Sequence, residues 1–120
     1  MYNKYHNTRV TYDGQVFDSR HEARRYRELL LMEQQGIISD LQRQVKFTLL
    51  PAQREPDEIG PRGGIKRGKI IEKECTYYAD FVYVQDGRVV VEDAKGLKTD
   101  VYKIKRKMML YFHSIQIKET

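Results

Sequence analysis

The longest run of β-forming residues in the chain reads Tyr77-Tyr-Ala-Asp-Phe-Val-Tyr-Val-Gln-Asp-Gly-Arg-Val-Val-Val-Glu-Asp-Ala-Lys-Gly96. Two runs of β-branched and aromatic residues meet at Asp86-Gly87. This dipeptide favours a tight hairpin turn, because both central residues of such a turn need a positive φ. The pattern therefore predicts a β-hairpin whose two-residue loop is Asp86 and Gly87.

That loop determines which residues face each other across the two strands. Asp80 then lies opposite Asp93, and Tyr78 lies opposite Lys95. Because side chains alternate along a strand, Asp80, Asp93 and Lys95 are expected to project from one face. Two carboxylates directly opposite each other are destabilising unless a cation lies between them. The hairpin therefore predicts a divalent-metal site on this face.

The neighbouring acid, Glu92, leaves one alternative open. By alternation it points to the opposite face, across from Phe81, so Asp93 is the preferred ligand. A bulge in the hairpin would exchange the roles of Glu92 and Asp93, since a one-residue slip moves every side chain to the other face.

Composition restricts the class of protein. The chain has 120 residues, of which 40% are hydrophobic and 32% are charged, and this predicts one soluble globular domain over residues 1–120. It has no apolar run long enough to cross a bilayer and no signal-peptide pattern, which predicts a cytoplasmic protein without a membrane partner. A single cysteine, Cys75, excludes an intramolecular disulfide and a cysteine-based zinc site. The net charge of +5 favours nucleic acid as the polyanionic partner.

The first half of the chain predicts a hairpin, a helix and a strand. Residues 9–17 contain a second Asp-Gly turn between short β-like runs. A helix begins at Ser19, which forms a Ser-x-x-Glu capping box with Glu22, and it ends at Gly36. Its core-facing residues are Ala23, Tyr26, Leu29 and Leu30. A strand with alternating apolar residues follows over Gln42–Leu50.

Residues 52–68 are predicted to be a long flexible basic loop without regular structure. The residues proposed to contact DNA in it are Arg62, Lys66 and Arg67. Closure of this loop over a phosphate backbone and a solvated linker are both open interpretations.

A second helix is predicted from Thr99 to Phe112, with Thr99 or Asp100 as its N-cap. Its predicted core stripe comprises Val101, Ile104, Met108, Leu110 and Phe112. The basic residues proposed to contact phosphate at this helix are Lys98, Lys103, Arg106 and Lys107, although a solvated face is the alternative. A short strand over Ser114–Glu119 closes the chain, with Ile115 and Ile117 facing inward.

The predicted order of elements is therefore hairpin, helix, strand, long loop, hairpin, helix, strand. This order indicates an α/β (α+β) fold with a mixed central β-sheet flanked by two main helices.

The predicted metal is Mg²⁺, which prefers oxygen ligands and takes one or two carboxylates together with water and substrate phosphate. Asp80, Asp93 and the backbone carbonyl of Ala94 are the candidate ligands, and Glu22 is a further candidate that could bind a second metal or hold a metal-bound water. Lys95 is the candidate to orient an attacking water or to neutralise charge in the transition state. Glu22 either caps its own helix or supplies a third carboxylate to the hairpin face. The chain contains no glycine-rich phosphate loop of the nucleotide-binding kind, so no nucleotide cofactor is expected.

At these residues the sequence resembles the PD-(D/E)XK superfamily of restriction-endonuclease-like nucleases. The resemblance rests on Asp80 followed, after a short hairpin, by Asp93-Ala94-Lys95, and on Glu22 at the start of the first helix. Ala79 stands where the superfamily has proline. The chain also resembles small phage-encoded members of that superfamily, including resolvases of Holliday junctions. The shared motifs are Phe17-Asp-Ser-x-x-Glu22, Gln44-x-x-Phe47-x-Leu49, Tyr78-Ala-Asp-Phe-Val-Tyr83, Val91-Glu-Asp-Ala-Lys-Gly96 and the lysine-rich helix that follows.

The resemblance implies a restriction-endonuclease-like core and metal-dependent hydrolysis of DNA, with Mg²⁺ as the cofactor and Mn²⁺ as its substitute. It places the protein in the cytoplasm of a bacterial host. A resolvase of branched DNA is expected to act as a homodimer, and Gln44 is a further candidate for the site. Two alternatives are a non-catalytic DNA-binding or recombination-accessory protein that keeps the nuclease fold, and a structural domain with a fortuitous acidic pair.

Overall fold

The computed structural model describes residues 9–94 and 97–120, which form two helices and ten strands. The helices are α1 (Arg20–Gln34) and α2 (Asp100–His113). The strands are β1 (Val10–Tyr12), β2 (Gln15–Phe17), β3 (Ser39–Leu50), β4 (Gln53–Arg54), β5 (Glu58–Ile59), β6 (Ile65–Lys66), β7 (Ile70–Glu72), β8 (Cys75–Gln85), β9 (Arg88–Asp93) and β10 (Lys118–Glu119).

The central sheet has four strands in the order β10-β9-β8-β3. β8 pairs antiparallel with both β3 and β9, whereas β10 runs parallel to β9. The predicted class, a mixed sheet combined with two helices, is therefore confirmed. Neither helix of the described chain is long and apolar enough to cross a membrane.

The β8–β9 hairpin has the predicted turn and register. Asp86 and Gly87 have φ values of 52° and 75°, as the turn requires. The pairing runs without a shift from Gln85↔Arg88 to Phe81↔Glu92. No bulge interrupts these pairs, so Glu92 faces Phe81 as predicted. The predicted position of Lys95 lies outside the described residues.

Helix α1 begins and ends where its sequence signals place it. The Ser19 hydroxyl accepts a hydrogen bond from the Glu22 amide at 3.1 Å. Gly36 follows the helix with a φ of 75°, and the Ile37 amide donates to the Met32 carbonyl at 2.9 Å. The helix buries Glu22, Ala23, Tyr26 and Leu29, and Leu30 is half-buried.

Two hydrophobic clusters hold the helices against the sheet. The α1 cluster contains Phe17, Ala23, Tyr26, Leu29, Ile38, Phe81, Tyr83 and Ala94. The α2 cluster contains Leu49, Tyr77, Ala79, Val91, Tyr102, Met109 and Ile117. Ala79 and Phe81 belong to different clusters, so Asp80 lies on β8 where the two clusters meet.

The prediction of a structureless loop over residues 52–68 is wrong. β4 pairs with β7, and β5 pairs with β6, both antiparallel. The four strands have two or three residues each, too few to show a period of two in the sequence. The β3 strand also begins at Ser39, earlier than the predicted Gln42.

The predicted core stripe of α2 is wrong except for Met108, which is half-buried and packs against the α2 cluster. The N-cap at Thr99 is confirmed by a 3.1 Å hydrogen bond from the Tyr102 amide. The buried residues are Tyr102 and Met109, whereas Val101, Ile104, Leu110 and Phe112 are all at least half exposed. Apolar residues occur all around this helix, so hydrophobic spacing alone did not determine which face packs on the sheet. The final strand is shorter than predicted, but Ile117 is buried and Ile115 packs partly against it.

Candidate functional site

Three neighbouring strands place polar side chains in a row across the sheet. The β3–β8 register pairs Arg43 with Phe81 and Val45 with Ala79, so Gln44 lies opposite Asp80. On the other side of β8, the hairpin pairs extend as far as Phe81↔Glu92, and the next residue of β9, Asp93, lies near enough to Asp80 for its charge to raise the pKa of Asp80. The sheet therefore brings Gln44, Asp80 and Asp93 together.

Gln44 connects this row to helix α1. Its Nε2 donates to Asp80 Oδ1 at 3.3 Å and to Glu22 Oε1 at 3.2 Å. Gln44 has a φ of 52°, in the left-handed region, although it is neither glycine nor at the end of a strand. Such backbone outliers cost on the order of 1–3 kcal/mol and cluster at functional sites. The positive φ of Gln44 therefore indicates that the backbone of β3 is adapted here to the hydrogen bonds that the Gln44 side chain makes with Asp80 and Glu22.

Glu22 contacts both the start of its own helix and the side chains of β3, while its role as a metal ligand stays a prediction. One carboxylate oxygen accepts a hydrogen bond from the Asp18 amide at 3.3 Å, near the start of its own helix. The other oxygen faces Gln44 and lies 3.5 Å from Arg43 Nη2. The side chain is buried, and burial is the main cause that raises its pKa above the usual value.

Asp80 is buried and lies beside the other acids. Its Oδ2 accepts a hydrogen bond from the Ala94 amide at 2.9 Å. Burial, and then the charges of Asp93 and Glu22, raise the pKa of Asp80 to about 8. The contact of Ala94 with Asp80 is made by its N–H, while the role of the Ala94 carbonyl as a metal ligand stays a prediction.

Asp93 is buried beside Asp80 and is held by Tyr77. The Tyr77 hydroxyl donates a hydrogen bond to Asp93 Oδ2. Burial, followed by the charge of Asp93, raises the pKa of Tyr77, so this hydroxyl stays protonated as a donor. The three carboxyl groups of Glu22, Asp80 and Asp93 thus come from α1, β8 and β9 into one buried neighbourhood.

Glu92 belongs to a separate, structural interaction. Its carboxylate binds Arg25 of α1 through Nε at 2.7 Å and Nη2 at 2.9 Å, and it accepts a hydrogen bond from the Tyr83 hydroxyl at 2.7 Å. Burial opposes ionisation of Glu92, but the hydrogen bonds from Arg25 and Tyr83 outweigh it and lower its pKa. The predicted preference for Asp93 as the partner of Asp80 agrees with this geometry.

Sequence reasoning missed Arg43, Tyr77 and Arg25. Arg43 is largely buried, lies 3.8 Å from the centre of the Phe17 ring and approaches Glu22. The sequence did carry a signal for Arg43. This charged residue lies two positions before Val45 in the same strand, so its side chain is expected on the same, inward-facing side as that of Val45. Tyr77 and Arg25 carried no such signal, because their partners are distant along the chain.

The basic residues proposed to contact DNA lie in two regions outside the carboxylate cluster. Arg62, Lys66 and Arg67 are exposed around the β5–β6 turn. At α2, Lys98 and Arg106 lie 3.7 Å and 3.1 Å from Glu119, while the side chains of Lys103 and Lys107 are exposed. Their proposed contact with phosphate stays a prediction.

The donor atoms suit Mg²⁺ in kind. Within residues 9–94 and 97–120, no group of three or more His, Cys, Asp or Glu side chains is arranged to hold a metal ion by itself. Mg²⁺, however, is commonly held by one or two carboxylates with water and substrate phosphate as the other ligands. Asp80 and Asp93 supply two such carboxylates, and the like charges that raise the pKa of Asp80 would be offset by a cation.

The chain belongs to a family described as "Protein of unknown function (DUF1064)", whose model matches residues 2–120. No curated protein and no solved structure matches the chain. Since the family description carries no activity, function has to be argued from the site itself.

Proposed function

We propose that this DUF1064 protein is a Mg²⁺-dependent DNA endonuclease of the PD-(D/E)XK type. The observation that carries the proposal is the convergence of three buried carboxyl groups, Glu22, Asp80 and Asp93, in a basic chain. Nothing in the two hydrophobic clusters requires acids at these positions, and burying them together is unfavourable without a cation.

The order of elements supports a restriction-endonuclease-like core. An acid at the start of α1 precedes a hairpin whose first strand carries Asp80 and whose second strand ends with Asp93. The sequence continues as Ala94-Lys95, which is the order that the superfamily motif requires. Under this proposal, Lys95 orients the attacking water.

The roles of the other side chains follow from their contacts. Asp80 and Asp93 would hold Mg²⁺, which when bound polarises the scissile phosphate and stabilises the departing oxygen. Glu22 accepts a proton or orients a water from the side of α1. Gln44 fixes the separation of Glu22 and Asp80 through its two hydrogen bonds. Arg43 offsets part of the negative charge beside Glu22.

The test is cleavage of supercoiled plasmid and of four-way-junction DNA with Mg²⁺, with Mn²⁺ and with chelator. The wild-type protein is expected to cleave only with metal. Asp80→Asn and Asp93→Asn are expected to reduce the rate at least ~100-fold, the range seen when metal sites lose a supporting group. Glu74→Gln, at an exposed acid paired with Lys46, is the matched control and should cleave normally. Wild-type activity that survives both substitutions would rule out this site.

One observation favours a second candidate, a non-catalytic DNA-binding protein with the same fold. The carboxylates already have protein partners, since Gln44 binds Glu22 and Asp80 and Tyr77 binds Asp93. Calorimetry that shows no Mg²⁺ or Mn²⁺ binding, together with DNA binding that weakens with salt, would favour this candidate over the nuclease.

A further inference from the structure

Residues 53–72 form a two-part β-ribbon that continues the β3–β8 pair, and we name it the arm. Pairing runs from Leu50↔Cys75 in the sheet to Gln53↔Glu72 and then to Ile59↔Ile65 near the end. All of residues 51–59 and 61–67 are exposed. The radius of gyration of 18.9 Å exceeds the roughly 14 Å expected for a compact chain of this length, as a projecting arm requires.

Glycines give the arm a defined shape. At the tip, the Gly60 amide donates to the Gly64 carbonyl at 2.7 Å, and Gly63 has a φ of 81°. At the junction of the two parts, a Cβ on Gly68 would lie 1.8 Å from the Glu55 carbonyl oxygen. Only glycine allows this close approach, so the contact between the Gly68 and Glu55 segments at this junction is built into the sequence.

The tip of the arm carries an apolar pair. Ile59 and Ile65 are directly opposite each other, so their side chains lie on one face. They are 82% and 78% exposed, more than any other large hydrophobic residue of the described chain. Pro61, two residues after Ile59, lies in the connecting turn. The arm therefore presents a small apolar wedge that contributes almost nothing to the core.

The charges around this wedge are positive. Residues 59–67 contain Arg62, Lys66 and Arg67 and no acid. The nearest acids lie just outside this segment, where Glu58 is opposite Lys66 in the ribbon and Asp57 accepts a hydrogen bond from the Gly68 amide. A second copy of this tip would repel it, whereas a polyanion would attract it.

We infer that the arm inserts its tip into the minor groove of duplex DNA, with Ile59 and Ile65 as a wedge at a base step and Arg62 and Arg67 on the flanking phosphates. Apolar wedges on minor-groove proteins unstack a base step in this way and kink the duplex. The inference rests on the proposed function only in taking DNA as the partner.

The arm would act at a distance from the carboxylates. Fifteen residues separate Gln44 from Ile59, which is at most about 50 Å of extended chain. One turn of DNA is about 34 Å. The kinked step is therefore expected within about one and a half turns of the phosphate at Asp80, on one side only.

The test uses the full-length protein in chelator, so that binding is measured without cleavage. The probe is a duplex of about 30 base pairs, roughly three helical turns, with 2-aminopurine at successive steps and a fluorophore at each end. The variants are Ile59→Ser/Ile65→Ser, which removes the wedge, and Arg62→Gln/Arg67→Gln, which removes the charges. Val89→Ser and Arg88→Gln, on the exposed β8–β9 hairpin, are the matched controls.

The wild-type protein should increase 2-aminopurine fluorescence at one step and shorten the end-to-end distance. The double serine variant should lose both signals and bind about tenfold more weakly, the change that burial of one isoleucine can produce. The double glutamine variant should make the negative slope of log K against log salt shallower by about 1.8, because two phosphate contacts are lost. The control variants should behave like the wild type.

Bending and affinity that persist in the double serine variant would overturn the inference. Sedimentation showing that this variant instead loses self-association, with DNA binding unchanged, would also overturn it. If the protein cleaves DNA but binds it independently of the arm, the proposed role of the arm is wrong and the nuclease function stands. If binding depends on the arm but no cleavage occurs, the nuclease function is wrong and the role of the arm stands.

Discussion

At the scale of single residues, alternation along the hairpin was sufficient to bring Asp80 and Asp93 together and to separate Glu92 from them. It was not sufficient to predict how those carboxylates are held. The positive φ of Gln44 and the hydrogen bond from Tyr77 depend on strands that are neighbours only in the folded chain. Local patterns therefore identified the acids, while their partners required the tertiary structure.

The raised pKa of Asp80 predicts that this residue limits stability. The pKa rises from 3.8 to about 8 because of burial and of the charges of Asp93 and Glu22. The folded state then holds the proton more tightly than the unfolded state, so stability should fall as the pH rises from about 4 to about 8. Asp80→Asn should remove the part of this pH dependence that Asp80 contributes, leaving the smaller part due to the raised pKa of Glu22.

Chemical denaturation in chelator, at pH values across this window, measures the effect. Each pKa unit corresponds to about 1.4 kcal/mol, so at pH 8 Asp80→Asn should raise the free energy of unfolding by on the order of a few kcal/mol. Glu74→Gln should leave the pH profile unchanged. An Asp80→Asn protein that is less stable than the wild type at pH 8 would contradict the electrostatic description.

At the scale of elements, the caps of α1 and the turn of the β8–β9 hairpin were predictable because their signals are local. The β4–β7 and β5–β6 pairs were not, since strands of two or three residues show no hydrophobic period. The buried face of α2 was mispredicted because apolar residues occur all around that helix. In both cases the missing information is which element packs against which.

The ion pair between Arg25 and Glu92 is predicted to fix α1 to β9. Glu92 is fully buried, so Arg25→Ala would leave its charge without its main partner. Breaking a buried pair in this way costs about 3–5 kcal/mol. Thermal and denaturant unfolding should show this loss, and Arg24→Ala, at the exposed neighbouring position, should change stability by less than about 0.5 kcal/mol.

The pH dependence of the same pair has the opposite sign to that of Asp80. The pKa of Glu92 is lowered, so its stabilising effect is present above the unfolded pKa near 4.5 and is lost as the pH falls through the folded value. Arg25→Ala should therefore destabilise the protein more at pH 7 than under acid conditions. An equal loss at both pH values would mean that Arg25 acts through packing alone.

At the scale of the whole molecule, the protein combines a small mixed sheet with a projecting arm. The sequence predicted the class of fold and the location of the acids, but it predicted a flexible loop where the arm lies. The restriction-endonuclease-like core and the homodimer stay proposals. If the homodimer forms, we expect its interface at the exposed apolar residues Val101, Ile104 and Tyr111 on one face of α2.

Sedimentation of the protein alone and bound to a four-way junction tests the homodimer. Resolution of a junction needs two cuts, so two copies are expected per junction. Ile104→Ser/Tyr111→Ser, at exposed positions, should shift the protein to monomer without loss of folding. Monomers of the wild-type protein on DNA at every concentration would contradict the dimer.

A crystal structure of the protein grown with Mn²⁺, with anomalous diffraction used to locate the ion, tests the proposed metal site. We expect an anomalous peak between the carboxylates of Asp80 and Asp93, bonded to both at about 2.1 Å, the distance typical of small divalent cations. We expect this peak to be lost in Asp80→Asn. Well-ordered crystals with no anomalous peak at these carboxylates, and with Gln44 and Tyr77 still hydrogen-bonded to them, would contradict the proposed metal site.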